Sequence, residues 1–72
     1  MSSGRPVKRS LTLQQHRTSV SLEDAFWKEF KVIAERTGKT INGLAAEIDE
    51  ARGDVGLASA IRVFVLEDLQ SR

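Results

Sequence analysis

The chain has 72 residues, 40% of them apolar and 29% charged, with no cysteine and one histidine. A typical domain has about 150 residues, so we expect a single domain. The lack of cysteine excludes disulfides, thiolate metal sites and cysteine catalysis, and one histidine argues against a zinc site. No apolar run approaches the ~18 residues of a membrane span, and no apolar stretch follows the basic N-terminus. We therefore expect a cytoplasmic protein.

The small size of the chain predicts a dimer. Below ~70–80 residues a single core seldom supplies more than ~3–5 kcal/mol of stability. Disulfides are excluded and a metal is not expected, so oligomerisation is the remaining common way to stabilise so small a core. We therefore expect an obligate homodimer.

The net charge of +1 hides an asymmetry. Residues 1–22 carry +4 with no acid, whereas residues 23–72 carry −3. A basic end on an acidic body indicates an anionic partner, most commonly nucleic acid, although a solubilising tail is the alternative. Residues 1–7 contain Ser, Gly and Pro without periodicity. They are predicted to form a flexible basic arm, and residues 8–72 a single domain.

Residues 8–22 form the only strand-like region of the sequence. Apolar and polar residues alternate there with period 2, first with apolar residues at odd positions and later at even ones. The apolar residues are Leu11 and Leu13, followed by Val20 and Leu22. A bulge or turn at residues 14–16 must absorb the change of phase. We expect residues 17–22 to be the cleaner strand.

Three segments have helical periodicity, at about residues 23–37, 40–52 and 57–70. Ser21 is predicted to cap the first helix and Thr40 the second. The third helix is apolar over most of its circumference, which indicates burial against more than one neighbour. In so short a chain the simplest second neighbour is another copy.

A single strand cannot form a sheet, but two copies can pair their strands antiparallel into a ribbon. Such a ribbon hides its apolar side on the helices and fits the major groove of B-DNA. The inner side chains would be Thr18, Val20 and Leu22, and the outer ones Arg17, Ser19 and Ser21.

Two stretches of the sequence resemble the ribbon-helix-helix family of bacterial repressors. Arg17-Thr-Ser-Val-Ser-Leu-Glu-Asp-Ala-Phe is similar to the family's strand and first helix, and Gly38-Lys-Thr-Ile-Asn-Gly-Leu to its turn and second-helix start. The resemblance implies a mainly α ribbon-helix-helix fold. One N-terminal strand would pair antiparallel in a homodimer, and three helices would follow, one more than the family's minimal form.

The resemblance also implies roles for individual residues. The outer strand residues would contact DNA bases, namely Arg17, Ser19 and Ser21. The start of the second helix would contact a phosphate through Thr40, Ile41 and Asn42, with Lys39 adding charge. Lys8 and Arg9 are predicted to make further phosphate contacts. The predicted dimer core consists of Val20, Leu22, Phe26, Phe30, Ile48, Ile61 and Phe64.

The additional helix leaves two assignments open. Residues 58–67 also resemble the family's second helix, and in that case residues 40–52 are an insertion and the phosphate anchor moves to residues 57–59. We favour the first assignment because its connection after the first helix is short.

These observations predict a sequence-specific DNA-binding regulator, a bacterial repressor whose partners are double-stranded DNA and a second copy. No catalytic arrangement, cofactor, metal or membrane partner is expected. The alternative is a protein-interaction module, such as an antitoxin or adaptor, that binds a protein partner through its helix surface.

Overall fold

A computed structural model of the chain describes residues 4–72, which form two strands followed by three helices. The strands are β1 (Pro6–Leu13) and β2 (His16–Glu23). The helices are α1 (Asp24–Arg36), α2 (Ile41–Ala51) and α3 (Leu57–Gln70), so each predicted helix is confirmed to within one residue at either end. None of these helices, which are all those in the described part of the chain, is long and apolar enough to cross a membrane.

The two strands form an antiparallel hairpin in which Pro6 lies opposite Glu23 and Leu13 opposite His16. Gln14 and Gln15 make the turn, with φ values of 49° and 74°. Two consecutive residues with positive φ are typical of the tight turns that join twisted strands. In this register every odd residue of β1 faces an even residue of β2. The change of phase in the sequence is therefore the signature of the hairpin, and no bulge is needed.

The ribbon-helix-helix architecture is confirmed, but the source of the ribbon's second strand is corrected. We expected residues 17–22 to pair with the same strand of a second copy, whereas β1 of the same chain takes that place. A two-residue loop holds β1 next to β2, so the local pairing needs only a small loss of chain entropy. Ser21 lies within β2, and the N-cap of α1 is Glu23, which makes no side-chain cap bond.

One apolar core lies between the inner side of the ribbon and the helices, and twelve buried apolar residues form it. Of the seven residues predicted for a dimer core, five are buried in it, namely Val20, Leu22, Phe30, Ile48 and Ile61. The other two, Phe26 and Phe64, are partly buried against it. These residues are shielded from solvent without a second copy, because Leu11 and Leu13 of β1 complete the core.

The N-terminus of α2 is capped by Thr40, as the sequence predicts. The Thr40 side chain accepts a hydrogen bond from the Gly43 N–H at 2.9 Å. A Cβ at Gly43 would lie 2.9 Å from Thr40 Oγ1, so glycine leaves room for this cap. The preceding turn places Gly38 at φ 71°, a backbone conformation that favours glycine.

Candidate nucleic-acid interface

The side of the ribbon that faces away from the helices is polar and exposed. We call it the outer ribbon face. It consists of Lys8, Ser10, Thr12, Arg17, Ser19 and Ser21, all exposed. The two strands contain one acid, Glu23, which lies at the end of β2 beyond this face. The predicted outward placement of Arg17, Ser19 and Ser21 therefore agrees with the structure.

The two cations of the outer ribbon face are without a partner. Neither Lys8 nor Arg17 makes a hydrogen bond or an ion pair within the described residues. Lys8 lies opposite Ser21, and Arg17 lies opposite Thr12. Positions 8 and 12 are four residues apart on β1, which is about 13 Å along a strand. The face thus carries two separated positive charges with hydroxyl side chains between them.

Arg9 lies on the other side of the ribbon. Its guanidinium group forms an ion pair with Asp24 and lies 5.4 Å from the centre of the Trp27 ring, and its side chain is 17% exposed. Strand alternation separates it from Lys8, although the sequence suggested the same role for both. Arg9 fastens β1 to α1 and is not part of the outer ribbon face.

Helix side chains hold both edges of the ribbon. On the β1 edge, Asn42 Oδ1 accepts a hydrogen bond from the Thr12 N–H at 3.0 Å. On the β2 edge, Arg62 Nη2 donates to the Ser21 carbonyl at 3.2 Å. An unpaired strand edge is a template for association, and these bonds satisfy part of each edge. They also fix the ribbon relative to α2 and α3.

Arg62 forms an ion pair at the end of the ribbon. Its Nε donates to Glu23 Oε1 at 2.9 Å, and its guanidinium carbon lies 5.9 Å from the centre of the Phe26 ring. The hydrogen bond from Arg62 lowers the pKa of the Glu23 carboxyl. The pair therefore offsets the negative charge nearest to the outer ribbon face.

Both candidate phosphate anchors lie near the ribbon. Asn42, in the first turn of α2, contacts the β1 edge through Thr12. At the start of α3, Leu57 lines a cavity of about 330 Å³ together with His16 and Thr18 of β2. The α2 start thus lies beside β1 and the α3 start beside β2. Proximity to the ribbon therefore favours neither helix start as the phosphate anchor.

The predicted anchor at α2 has a largely exposed cation close by. Thr40 is the N-cap, and Ile41 and Asn42 begin the helix. The Lys39 ammonium lies 2.8 Å from Glu47 Oε1, and both side chains are largely exposed. An exposed pair of this kind contributes little stability, so Lys39 remains available to an anion.

Sequence reasoning missed two residues of the outer ribbon face, Ser10 and Thr12. The signal was present in the alternation of Leu11 and Leu13 with polar neighbours. The expectation that residues 17–22 alone form the ribbon excludes this first alternating stretch. Once β1 pairs with β2, Ser10 lies opposite Ser19.

Comparison with protein-family models gives a match to a ribbon-helix-helix domain over residues 6–69. The match includes both strands and continues through nearly all of α3. The chain belongs to the ribbon-helix-helix family. Domains of this family are commonly DNA-binding regulators. Neither the curated proteins nor the solved structures compared with the chain give a match.

Proposed function

We propose that this ribbon-helix-helix protein is a DNA-binding transcriptional regulator, a repressor in the bacterial cytoplasm and not an enzyme. The observation that carries the proposal is the outer ribbon face. It presents two cations without partners and four hydroxyl side chains, and no acid. The major groove of B-DNA is about 12 Å wide and admits a two-stranded ribbon.

Base recognition is assigned to Arg17, Ser19 and Ser21, which follow β2 along the whole outer ribbon face. Arg17 can donate two hydrogen bonds to a guanine edge, which is the commonest specific contact in the major groove. Ser19 and Ser21 can donate or accept, so they suit several bases. Ser10 and Thr12 join them from β1, because the hairpin places their side chains on the same side.

Phosphate binding is assigned to Lys8 and to the start of α2. Lys8 lies at the end of the ribbon away from the turn. Thr40, Ile41 and Asn42 lie at a helix N-terminus, where free N–H groups and the helix dipole favour an anion. Lys39 adds charge there. Arg9 is left out because its guanidinium group is occupied by Asp24.

The active form is proposed to be a homodimer. Each chain builds a complete ribbon, so a dimer would carry two ribbons related by a two-fold axis. Two-fold symmetric proteins bind sites that are inverted repeats, with half-sites separated by about one helical turn or a multiple of it. Repression would follow because the bound dimer blocks the polymerase.

The test is the selection of bound duplexes from a random pool by the full chain. We expect an enriched inverted repeat and a negative slope of log affinity against log salt concentration. Lys8→Ala removes one phosphate contact from each chain of the dimer and should reduce the magnitude of that slope by about 2. Lys31→Ala, which removes the same charge from an exposed position on α1, is the matched control and should leave the slope unchanged. No enrichment together with a slope of zero would overturn the proposal.

A further inference from the structure

The side chain and the backbone of Asn42 serve different parts of the candidate interface. Asn42 is exposed, and its Oδ1 accepts a hydrogen bond from the Thr12 N–H at 3.0 Å. Its own backbone N–H lies in the first turn of α2, where N–H groups have no partner within the helix. Asn42 therefore connects the ribbon to the start of α2, where the phosphate site is proposed.

The ribbon residue that Asn42 holds lies directly opposite Arg17. Opposite residues of an antiparallel pair either exchange two backbone hydrogen bonds or exchange none. Since the Thr12 N–H donates to Asn42, Thr12 and Arg17 form a pair of the second kind. The Cα atoms of such a pair are only about 4.5 Å apart and the side chains are close. A shift of Thr12 therefore changes the position from which Arg17 reaches a base.

We propose that Asn42 is a positioning residue that couples the phosphate site at the start of α2 to base recognition by Arg17. This inference rests on the DNA binding proposed above. Phosphate contacts fix the orientation of a protein on the duplex, and base contacts then read the sequence. Here a single residue would transmit that orientation, because a phosphate at the helix start holds Asn42, and Asn42 holds the ribbon beside Arg17.

The amide group of Asn42 can serve both neighbours at once. Oδ1 accepts from the ribbon, whereas Nδ2 has no hydrogen-bond partner within the described residues and can donate to a phosphate oxygen. An aspartate at this position would keep an acceptor for Thr12, lose the donor and add a negative charge. Substitution can therefore separate the contact to the ribbon from the contact to the phosphate.

The bond between Asn42 and Thr12 contributes little to folding. Both residues are exposed, so water can replace Oδ1 as the acceptor for the Thr12 N–H. The neighbours of Thr12 on β1, Leu11 and Leu13, are buried and keep the strand on the helices. Loss of the Asn42 side chain should therefore leave the chain folded, and its effect should appear in DNA recognition.

The experiment measures discrimination between the selected duplex and duplexes mutated in a single half-site. The base read by Arg17 is located first, as the position at which Arg17→Ala loses discrimination. Asn42→Ala should lower discrimination at that base by about 3- to 10-fold, as expected for coupled neighbours, and by less than about 2-fold at other bases. In the Arg17→Ala background it should cause no further loss, because the side chain that it positions is absent. Fluorescence anisotropy measures each affinity.

Two control variants separate positioning from a plain phosphate contact. Asn42→Asp should weaken binding to every duplex but retain discrimination, because it keeps the acceptor for Thr12. Lys39→Ala removes a charge beside the same helix start without touching the ribbon, and it should also weaken all duplexes alike. Hydrogen exchange of the Thr12 amide in the free protein should be faster than wild type in Asn42→Ala and unchanged in the two controls.

The outcomes separate this inference from the proposed function. An Asn42→Ala chain that weakens all duplexes equally and keeps discrimination would refute the coupling and leave DNA binding standing. Additive losses in the double variant with Arg17→Ala would do the same, and so would an Asn42→Ala chain that circular dichroism shows to be unfolded. A wild-type chain that selects no duplex would instead refute DNA binding itself, and the coupling with it.

Discussion

The two sides of the ribbon are built from the same two strands but have different chemistry. On the inner side, Leu11, Leu13, Val20 and Leu22 are at most 8% exposed and pack on the helices. On the outer side, Lys8 and Arg17 are exposed and without partners. The inner side accounts for folding. The outer side takes no part in the core, and the proposed DNA binding rests on its charge.

Two arginines, Arg9 and Arg17, show the same difference between the inner and outer sides of the ribbon. Arg9 lies on the inner side, forms an ion pair with Asp24 and contacts Trp27. Arg17 lies on the outer side and contacts no other described residue through a hydrogen bond or ion pair. The same side chain should therefore contribute to stability at one position and to recognition at the other.

The largest expected effect is on stability and comes from the inner side. Leu22 is fully buried, so Leu22→Ala should lower the free energy of unfolding by about 2–5 kcal/mol. Ser21→Ala, one residue away on the outer ribbon face, should change it by less than about 0.5 kcal/mol. Urea denaturation followed by circular dichroism measures both. Equal losses would mean that the two sides do not differ as described.

The next effect is on recognition and separates the two arginines. Arg17→Ala should reduce discrimination between the selected duplex and one mutated in a single half-site by about 1–3 kcal/mol, because the bidentate base contact in that half-site is lost. Its free energy of unfolding should stay within about 0.5 kcal/mol of wild type. Fluorescence anisotropy and urea denaturation give the two quantities.

Arg9→Ala is the matched control and should behave in the opposite way. It should lower the free energy of unfolding by about 1 kcal/mol, through loss of the contacts to Asp24 and Trp27, and keep discrimination intact. Lys8→Ala should weaken binding to all duplexes alike, since phosphate contacts do not read sequence. The reverse pattern for Arg17 and Arg9 would contradict the orientation of the ribbon.

A smaller effect is expected at the turn that joins the two strands. Gln15 has φ 74°, a conformation that is strained for residues other than glycine. Gln15→Gly should raise the free energy of unfolding by about 1 kcal/mol, and Gln15→Val should lower it, because a β-branched residue is disfavoured there. A thermal melt compares the three chains. A Gly variant less stable than the Val variant would contradict the hairpin turn.

The smallest expected effect is the pH dependence of the ribbon's attachment to α3. The hydrogen bond from Arg62 lowers the pKa of Glu23 below its usual value of 4.5. A carboxyl with a lowered pKa in the folded state contributes stability above the unfolded pKa, and that contribution is lost as the pH falls through the folded pKa. Between pH 6 and pH 3, wild type should therefore lose more stability than Glu23→Gln. Urea midpoints at both pH values measure this, and equal losses would contradict the role of the pair.

The sequence predicted the helices better than it predicted the ribbon. The helices follow from periodicity and from caps such as Thr40, which depend on residues close in sequence. The hairpin was missed because Gln14 and Gln15 are not the residues that usually signal a tight turn. The sequence carried the information only in the change of phase between Leu13 and Val20.

The outer positions of Arg17, Ser19 and Ser21 followed from alternation, whereas the contacts of other charged residues did not. Arg9 bonds Asp24, and Arg62 bonds Glu23 from a position 39 residues away. Such pairs depend on how helices pack against the ribbon, which alternation does not describe. The charge of a residue can be read from the sequence, but whether a partner already satisfies it requires the fold.

The most direct test of DNA recognition by the outer ribbon face is a nuclear magnetic resonance titration with the selected duplex. The account predicts that the largest changes in amide chemical shift occur at the outer ribbon face, above all at Ser19 and its neighbours Arg17 and Ser21. The exposed side of α1 around Val32 should change little. Large changes confined to the helices, with the ribbon amides unmoved, would contradict the account.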